Sequence, residues 1–94
     1  MAHAAIDAIR RGLRDGRLSI NALDDGSGVL LDIEGEQLLT LNRTGLLLIQ
    51  AVEGGADDVA ELGAVLTAEF EVEPERAERD AEGFLDTVRD ALRG

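Results

Sequence analysis

The fold is decided by the stretch Gln37-Leu38-Leu39-Thr40-Leu41-Asn42-Arg43-Thr44-Gly45. Its first five residues are typical of a β-strand, and Asn42 or Thr44 then offers a side-chain oxygen that can cap the first amides of a helix. Four apolar residues, 46–49, follow at once, so this helix is apolar almost all round and is predicted to lie centrally. Strand signals dominate before this junction and helix signals after it, which divides the chain into a small sheet and a helical part.

The composition limits the classes of protein to which the chain can belong. Its 94 residues make one domain; 45% of them are apolar and only 2% aromatic, so aliphatic side chains around Phe70 and Phe84 are predicted to form the core. The absence of cysteine excludes disulfides and thiolate metal sites, and a single histidine disfavours zinc. No apolar run reaches the roughly 20 residues of a membrane span, and there is no signal segment. A cytoplasmic protein that binds neither metal nor membrane is therefore expected.

The charge of the chain is strongly negative. Nine basic and 20 acidic residues give a net charge of −11 at pH 7, and the sequence contains no lysine. Proteins bind phosphate backbones through lysine and arginine, so nucleic acid is not an expected partner, whereas a basic or neutral partner is electrostatically easier. Solubility alone is an equally good explanation of the charge, which therefore does not identify a partner by itself.

Before the junction, the sequence predicts a helix and two further strands. Residues 1–17 carry apolar side chains at helical spacing and form a narrow amphipathic segment that either frays or packs on a partner. Residues 18–23 and 29–33 have the pattern of strands, separated by the turn signal of residues 24–28. That turn lacks the ligand spacing of a calcium loop. Together with residues 37–41, these strands are predicted to form a three-stranded antiparallel meander.

Three helices are predicted after the junction. The first covers residues 44–53, and the second begins near Asp58, which has the spacing of a capping box with Glu61. The third begins with Pro74 in its first turn, where the missing amide costs nothing. The sequence thus predicts an α+β fold in which an N-terminal helix and a three-stranded antiparallel sheet precede a three-helix bundle. Six side chains of the bundle are expected to be buried: Leu46, Ile49, Leu66, Phe70, Phe84 and Leu85.

The chain carries no catalytic constellation. It has no Cys, Tyr or Trp, and its one histidine, His3, is expected to be an exposed terminal side chain, so a Ser-His-Asp arrangement is not expected. Gly26-Ser27-Gly28 is too short for a phosphate loop and lacks the lysine of such loops. Neighbouring acids such as Glu34 and Glu36 are expected to be solvated. We therefore interpret the chain as a binding module without a cofactor, not as an enzyme.

A series of motifs runs through the strands and helices: Gly28-Val29-Leu30-Leu31-Asp32, Leu41-Asn42-Arg43-Thr44-Gly45, Glu53-Gly54-Gly55, Phe70-Glu71-Val72, Asp80 and Phe84-Leu85. Over roughly residues 18–92, this series resembles the PqqD-like family of peptide chaperones, the leader-recognition domains of ribosomally synthesised and modified peptides. The resemblance divides the chain into an N-terminal amphipathic segment, residues 1–17, and a PqqD-like peptide-binding domain, residues 18–94. Relatives often carry aromatic residues where this chain has Leu38 and Leu39, so its leader pocket is expected to have a different shape.

The resemblance implies a winged-helix-like domain that catalyses nothing, holds the leader of a precursor peptide and presents it to a modifying enzyme. The leader adds a strand beside the third strand and packs against the last helix. An open strand edge suits this mode, because it offers unpaired amides and carbonyls. The implied peptide-binding residues are Gln37, Leu38, Leu39, Thr40 and Leu41 on the strand and Arg76, Arg79, Asp80, Gly83 and Thr87 on the helix.

Two other functions stay open at this point. A winged-helix nucleic-acid binder has the same small sheet and helices, although the net charge and a last helix with only four cations, Arg76, Arg79, Arg89 and Arg93, oppose it. A structural or dimerisation module would instead form a homodimer through the N-terminal segment or the open strand edge.

Overall fold

A computed structural model describes residues 3–92, and the order of their elements is the predicted one. A helix and a three-stranded antiparallel sheet precede three helices, which confirms the α+β prediction. Arg93, predicted as a cation of the last helix, lies outside the described residues. The elements are α1 (Ala4–Asp15), β1 (Leu18–Ala22), β2 (Gly28–Asp32), β3 (Gln37–Leu41), α2 (Arg43–Glu53), α3 (Val59–Glu69) and α4 (Pro74–Leu92).

The sheet is an antiparallel meander in the order β1-β2-β3. Leu30 in the central strand is fully buried and pairs with Ile20 on one side and Leu39 on the other. Along β3 the side chains alternate, so that Leu39 and Leu41 turn toward the helices while Leu38 and Thr40 turn outward. This alternation confirms the predicted orientation of the strand.

The first hairpin differs from the prediction by one residue in each strand. β1 ends at Ala22 and β2 begins at Gly28. The amide of Leu23 donates to the carbonyl of Ser27 at 2.8 Å and closes the turn between them. Gly28 pairs with Leu41 and lies against Leu46, where a Cβ atom would be only 2.7 Å from the leucine side chain. A glycine at this position therefore lets the sheet approach α2 closely.

Helix α1 is part of the core, so the prediction that it frays or packs on a partner is wrong. Ile6 and Ile9 are 0% and 3% exposed. The guanidinium of Arg10 donates to the carbonyls of Val52 and Ala56 and to the carboxylate of Asp57, which ties the helix to the end of α2 and the loop that follows it. A narrow apolar stripe suffices here because these polar contacts add to it.

His3 is half-buried, which corrects the expectation of an exposed terminal side chain. Its Nδ1 atom accepts a hydrogen bond from the amide of Ala5 and so caps α1, at 3.2 Å. Its Nε2 atom lies 3.0 Å from the carboxylate of Glu82 on α4. The only histidine of the sequence therefore joins the first helix to the last.

Helix α2 lies at the centre, as predicted, and contacts α1, α3, β2 and β3. Its first turn is capped by Asn42, whose side-chain oxygen accepts from the amide of Gly45 at 2.8 Å. Asp58 caps α3 in the same way by accepting from the amide of Glu61 at 2.9 Å, and the Glu61 carboxylate accepts from the amide of Asp57. Local side-chain chemistry thus sets where both helices begin.

The core is aliphatic, and the prediction that both phenylalanines are buried is wrong. Phe70 and Phe84 are only partly buried and pack against the edge of the core. Phe70 lies at the C-terminal end of α3 beneath the guanidinium of Arg43, 5.6 Å from its ring centre. The other four predicted core residues, Leu46, Ile49, Leu66 and Leu85, are buried. None of the helices described within residues 3–92 is both long and apolar enough to cross a membrane.

Candidate functional site

Strand β3 forms one edge of the sheet. Its inner side pairs with β2 along the whole strand, from Gln37 opposite Asp32 to Leu41 opposite Gly28. Within the described part of the chain no strand pairs with the other side, so the amides and carbonyls there are available to an incoming chain. Leu38 is 61% exposed on this strand. The predicted strand residues therefore lie together along an accessible edge.

Helix α4 runs beside this strand and contacts it. Arg76, Asp80, Gly83 and Thr87 are three or four positions apart, which places them on one face of the helix, and all four are exposed. Arg76 and Asp80 form an ion pair at 3.9 Å. A Cβ atom at Gly83 would meet no heavy atom within 4 Å. The structure thus gathers these four predicted helix residues on an open flank.

Arg79 is the predicted residue that this flank includes least well. It is exposed, but it lies five positions before Phe84, which corresponds to roughly 140° around the helix axis. Phe84 is the aromatic side chain that α4 turns toward α2, so Arg79 lies on the side of the helix that faces away from it. A role for Arg79 in the site stays a prediction.

Phe84, which was predicted to be a core residue, lies on α4 beside the exposed flank of that helix. Phe84 is partly buried, and its ring rests on the first turn of α2. A Cβ atom at Gly45 would be 2.8 Å from a ring carbon of Phe84, so the glycine of the Asn42–Gly45 motif makes room for the ring. Leu39 is also partly buried on the face of β3 that turns toward the helices. Helical periodicity assigned Phe84 to the apolar stripe of α4 but did not indicate that it lies at the margin of that stripe.

Gln37, the first residue of β3, contributes an unpaired acceptor. Its Oε1 atom is buried and has no hydrogen-bond partner among residues 3–92. A buried carbonyl oxygen without a donor costs free energy that a donor would recover. No sequence signal reveals this feature, because it depends on how neighbouring elements enclose the side chain.

The arrangement offers surfaces to which a peptide can bind. Within the described range, no group of three or more His, Cys, Asp or Glu side chains is placed to hold a metal ion. In the turn between β1 and β2, the side-chain and backbone hydrogen bonds that Ser27 donates hold the pKa of the Asp25 carboxyl below its usual range. Asp25 lies outside the candidate site. What the site supplies is backbone pairing along β3 and apolar contact with Leu39 and Phe84.

Comparison with known proteins adds three findings. Residues 27–91 match the family described as coenzyme PQQ synthesis protein D (PqqD). A lasso peptide synthetase B1, solved in complex with the leader peptide, is 32% identical, with a TM-score of 0.67 over 79% of this chain and 85% of that one. TbiB1, solved in complex with the TbiA(beta) leader peptide, is 23% identical, with a TM-score of 0.71 over 79% of this chain and 84% of that one, and shares the fold. A comparison with curated proteins finds no match.

Proposed function

Because the chain belongs to the PqqD family, we propose that it is a non-catalytic peptide chaperone that binds the leader of a ribosomally made precursor and presents it to a modifying enzyme. The observation that carries this proposal is the open edge of β3 beside the exposed flank of α4. The 32% identical lasso peptide synthetase B1, which was solved with the leader peptide, supports it.

The leader would bind by adding a fourth strand to the sheet. Its backbone would pair with the outer edge of β3, and alternate side chains would point toward α4 or away from it. Those that point toward α4 would meet Leu39 and Phe84, and Gly83 leaves the peptide room to approach the helix.

The modifying enzyme would dock on the outward face of the sheet. Leu31 and Leu38 pair across this face, and Leu38 and Ile33 are each 61% exposed. Charged side chains are absent from the outward positions of the three strands, although the chain carries a net charge of −11. The face is continuous with β3, so an enzyme seated on it would also touch the outward side chains of a bound leader. The outward positions are Ser19, Asn21, Val29, Leu31, Leu38 and Thr40.

Leader binding can be tested by calorimetry with the leader peptide that is encoded next to the gene. We expect a dissociation constant in the micromolar to nanomolar range, about −8 to −12 kcal/mol, and no heat from a scrambled peptide of the same composition. A leader that gives no binding at about 0.1 mM would contradict the proposed function.

The role of the outward face needs a separate measurement. Ile33→Asp places a charge directly after the end of β2, two residues from Leu31 and away from the free edge of β3. We expect it to slow modification of the precursor by the enzyme encoded nearby while leaving the affinity for the leader unchanged. Equal modification rates for Ile33→Asp and the wild type would exclude this face as the docking surface.

The two alternative functions predict other results. A nucleic-acid binder would retard DNA or RNA in a low-salt gel-shift assay, and we expect no retardation because phosphates and the acidic chain repel each other. A dimerisation module would show a mass that rises with concentration in light scattering even without peptide. We expect the monomer mass for the isolated chain at micromolar concentration.

A further inference from the structure

A cleft of about 750 Å³ opens where α4 begins, next to the exposed flank of that helix. Thr44 at the start of α2 lines one wall, and the segment between α3 and α4 lines the other. Arg76 and Asp80 belong both to this cleft and to the exposed flank of α4. Since Thr44 follows the end of β3 by three positions, a peptide that pairs with β3 and continues past Leu41 would reach the cleft. The apolar lining of the cleft consists of Leu66, Phe70, Val72 and Pro74.

The charges that line the cleft are predominantly negative. Three carboxylates, those of Glu71, Glu73 and Asp80, face one guanidinium, that of Arg76. Arg76 is paired with Asp80 at 3.9 Å, whereas Glu71 and Glu73 are exposed and form no ion pair with any residue in the range 3–92.

The nearby cation Arg43 does not change this balance. Its guanidinium lies over the Phe70 ring and 3.7 Å from the carboxylate of Glu69. The cleft thus combines an apolar floor with the carboxylates of Glu71 and Glu73, which form no ion pair with another described residue.

We propose that this cleft is a specificity pocket for one basic side chain of the bound leader, a lysine or an arginine. Such a side chain has an apolar stem that can cover Val72 and Phe70 and a charged end that can reach the Glu71 and Glu73 carboxylates. An acidic side chain is repelled by the same carboxylates, and a purely apolar one leaves them unpaired. This inference rests on the proposed function, since the occupant is part of the leader.

The test uses the double variant Glu71→Gln with Glu73→Gln, which removes both charges and keeps the shape of the side chains. The matched control is Asp15→Asn with Glu53→Gln, which removes two exposed carboxylates elsewhere and changes the net charge equally. The probe is the fluorescein-labelled leader encoded next to the gene, together with peptides in which each Lys or Arg is replaced singly by norleucine. Melting temperatures of all variants confirm that they are folded.

In about 0.05 M salt, we expect the double variant to bind the leader roughly three- to tenfold more weakly than the wild type, since exposed ion pairs are weak and screened. The control should change the affinity less than twofold. One norleucine peptide should bind the wild type more weakly by the same factor. The double variant should bind that peptide as well as it binds the unmodified leader, which would identify the replaced residue as the one in the cleft.

The contrary outcomes separate the two proposals. If the wild type binds the leader and the double variant binds it equally well, or if a leader without basic residues binds tightly, the specificity pocket is wrong and the proposed function stands. If the wild type does not bind the leader, the proposed function fails and the pocket fails with it.

Discussion

Helix α1 and strand β3 both contribute apolar side chains to the core, but they differ in how many of those side chains they leave exposed. The large apolar side chains at the centre of α1, Ile6 and Ile9, are buried, and Arg10 ties the helix to the end of α2. β3 leaves Leu38 61% exposed, and among residues 3–92 no strand pairs with its outer edge. Folding alone accounts for the apolar residues at the centre of α1 and for Leu39 and Leu41 of β3, but not for Leu38. Since an exposed apolar edge invites aggregation, its presence is best explained by a partner that covers it.

The strongest test of this difference compares the same kind of truncation in the two elements. Ile6→Ala should lower the free energy of unfolding by about 2–5 kcal/mol, because it leaves a cavity in the core. Leu38→Ala should change it by less than about 0.5 kcal/mol, because the leucine is exposed. Urea denaturation measures both values. Similar losses for the two variants would mean that β3 is as deeply packed as α1.

A second test removes donors from the edge of β3. Proline placed singly at Leu38, Leu39, Thr40 and Leu41 removes one amide each time, and at the positions whose amide points away from β2 the sheet keeps its own hydrogen bonds. There we expect the affinity for the leader to fall about 10- to 100-fold, or about 1.4–2.8 kcal/mol. Alanine at the same positions is the control, since it keeps the amide. An affinity that is unchanged in every folded proline variant would refute strand addition.

A third test compares two neighbouring residues of α4, Leu85 in the core and Phe84 at the candidate site. Leu85 is fully buried, so Leu85→Ala should cost about 2–5 kcal/mol of stability. Phe84→Ala should cost less, about 1–2 kcal/mol, because the ring is only partly buried. Only the Phe84 variant should also weaken leader binding beyond its effect on folding. Thermal melts with binding titrations check this, and a loss of 3–5 kcal/mol at Phe84 with normal binding would assign the ring to the core.

The smallest expected effect concerns Gly83. Gly83→Leu should raise the melting temperature slightly, because leucine is the better helix former by up to about 1 kcal/mol. It should weaken leader binding about tenfold, since the side chain would occupy the space beside the helix. Ala60→Leu, at an exposed position of α3, is the control for an added apolar side chain. If Gly83→Leu is folded and binds as well as the wild type, the flank of α4 is not part of the site.

The sequence predicted those features that depend on local chemistry. Asn42 caps α2, Pro74 begins α4 and β3 covers Gln37 to Leu41, because each of these depends on side chains within a few residues. The resemblance to the PqqD family came from the same local motifs, above all the one that ends in Gly45. The spacing of these motifs therefore indicated both the fold and the family.

Features that depend on distant partners could not be predicted. His3 meets Glu82 across 79 positions, and nothing near the start of the chain indicates that contact. The periodicity of α4 placed Phe84 on the apolar stripe but could not locate the edge of that stripe. The cleft near Phe70 forms where the start of α2, the end of α3, the segment before α4 and α4 itself meet, and the order of those parts in the sequence does not indicate it.

The central claim is that a leader peptide pairs with the free edge of β3, and amide hydrogen exchange followed by NMR tests it most directly. Exchange is measured for the isolated chain and for the chain saturated with the leader encoded next to its gene. The account predicts that alternate amides of β3, those pointing away from β2, become strongly protected on binding, while the amides of β1 keep their exchange rates. A leader that binds tightly and leaves every β3 amide exchanging as before would contradict it.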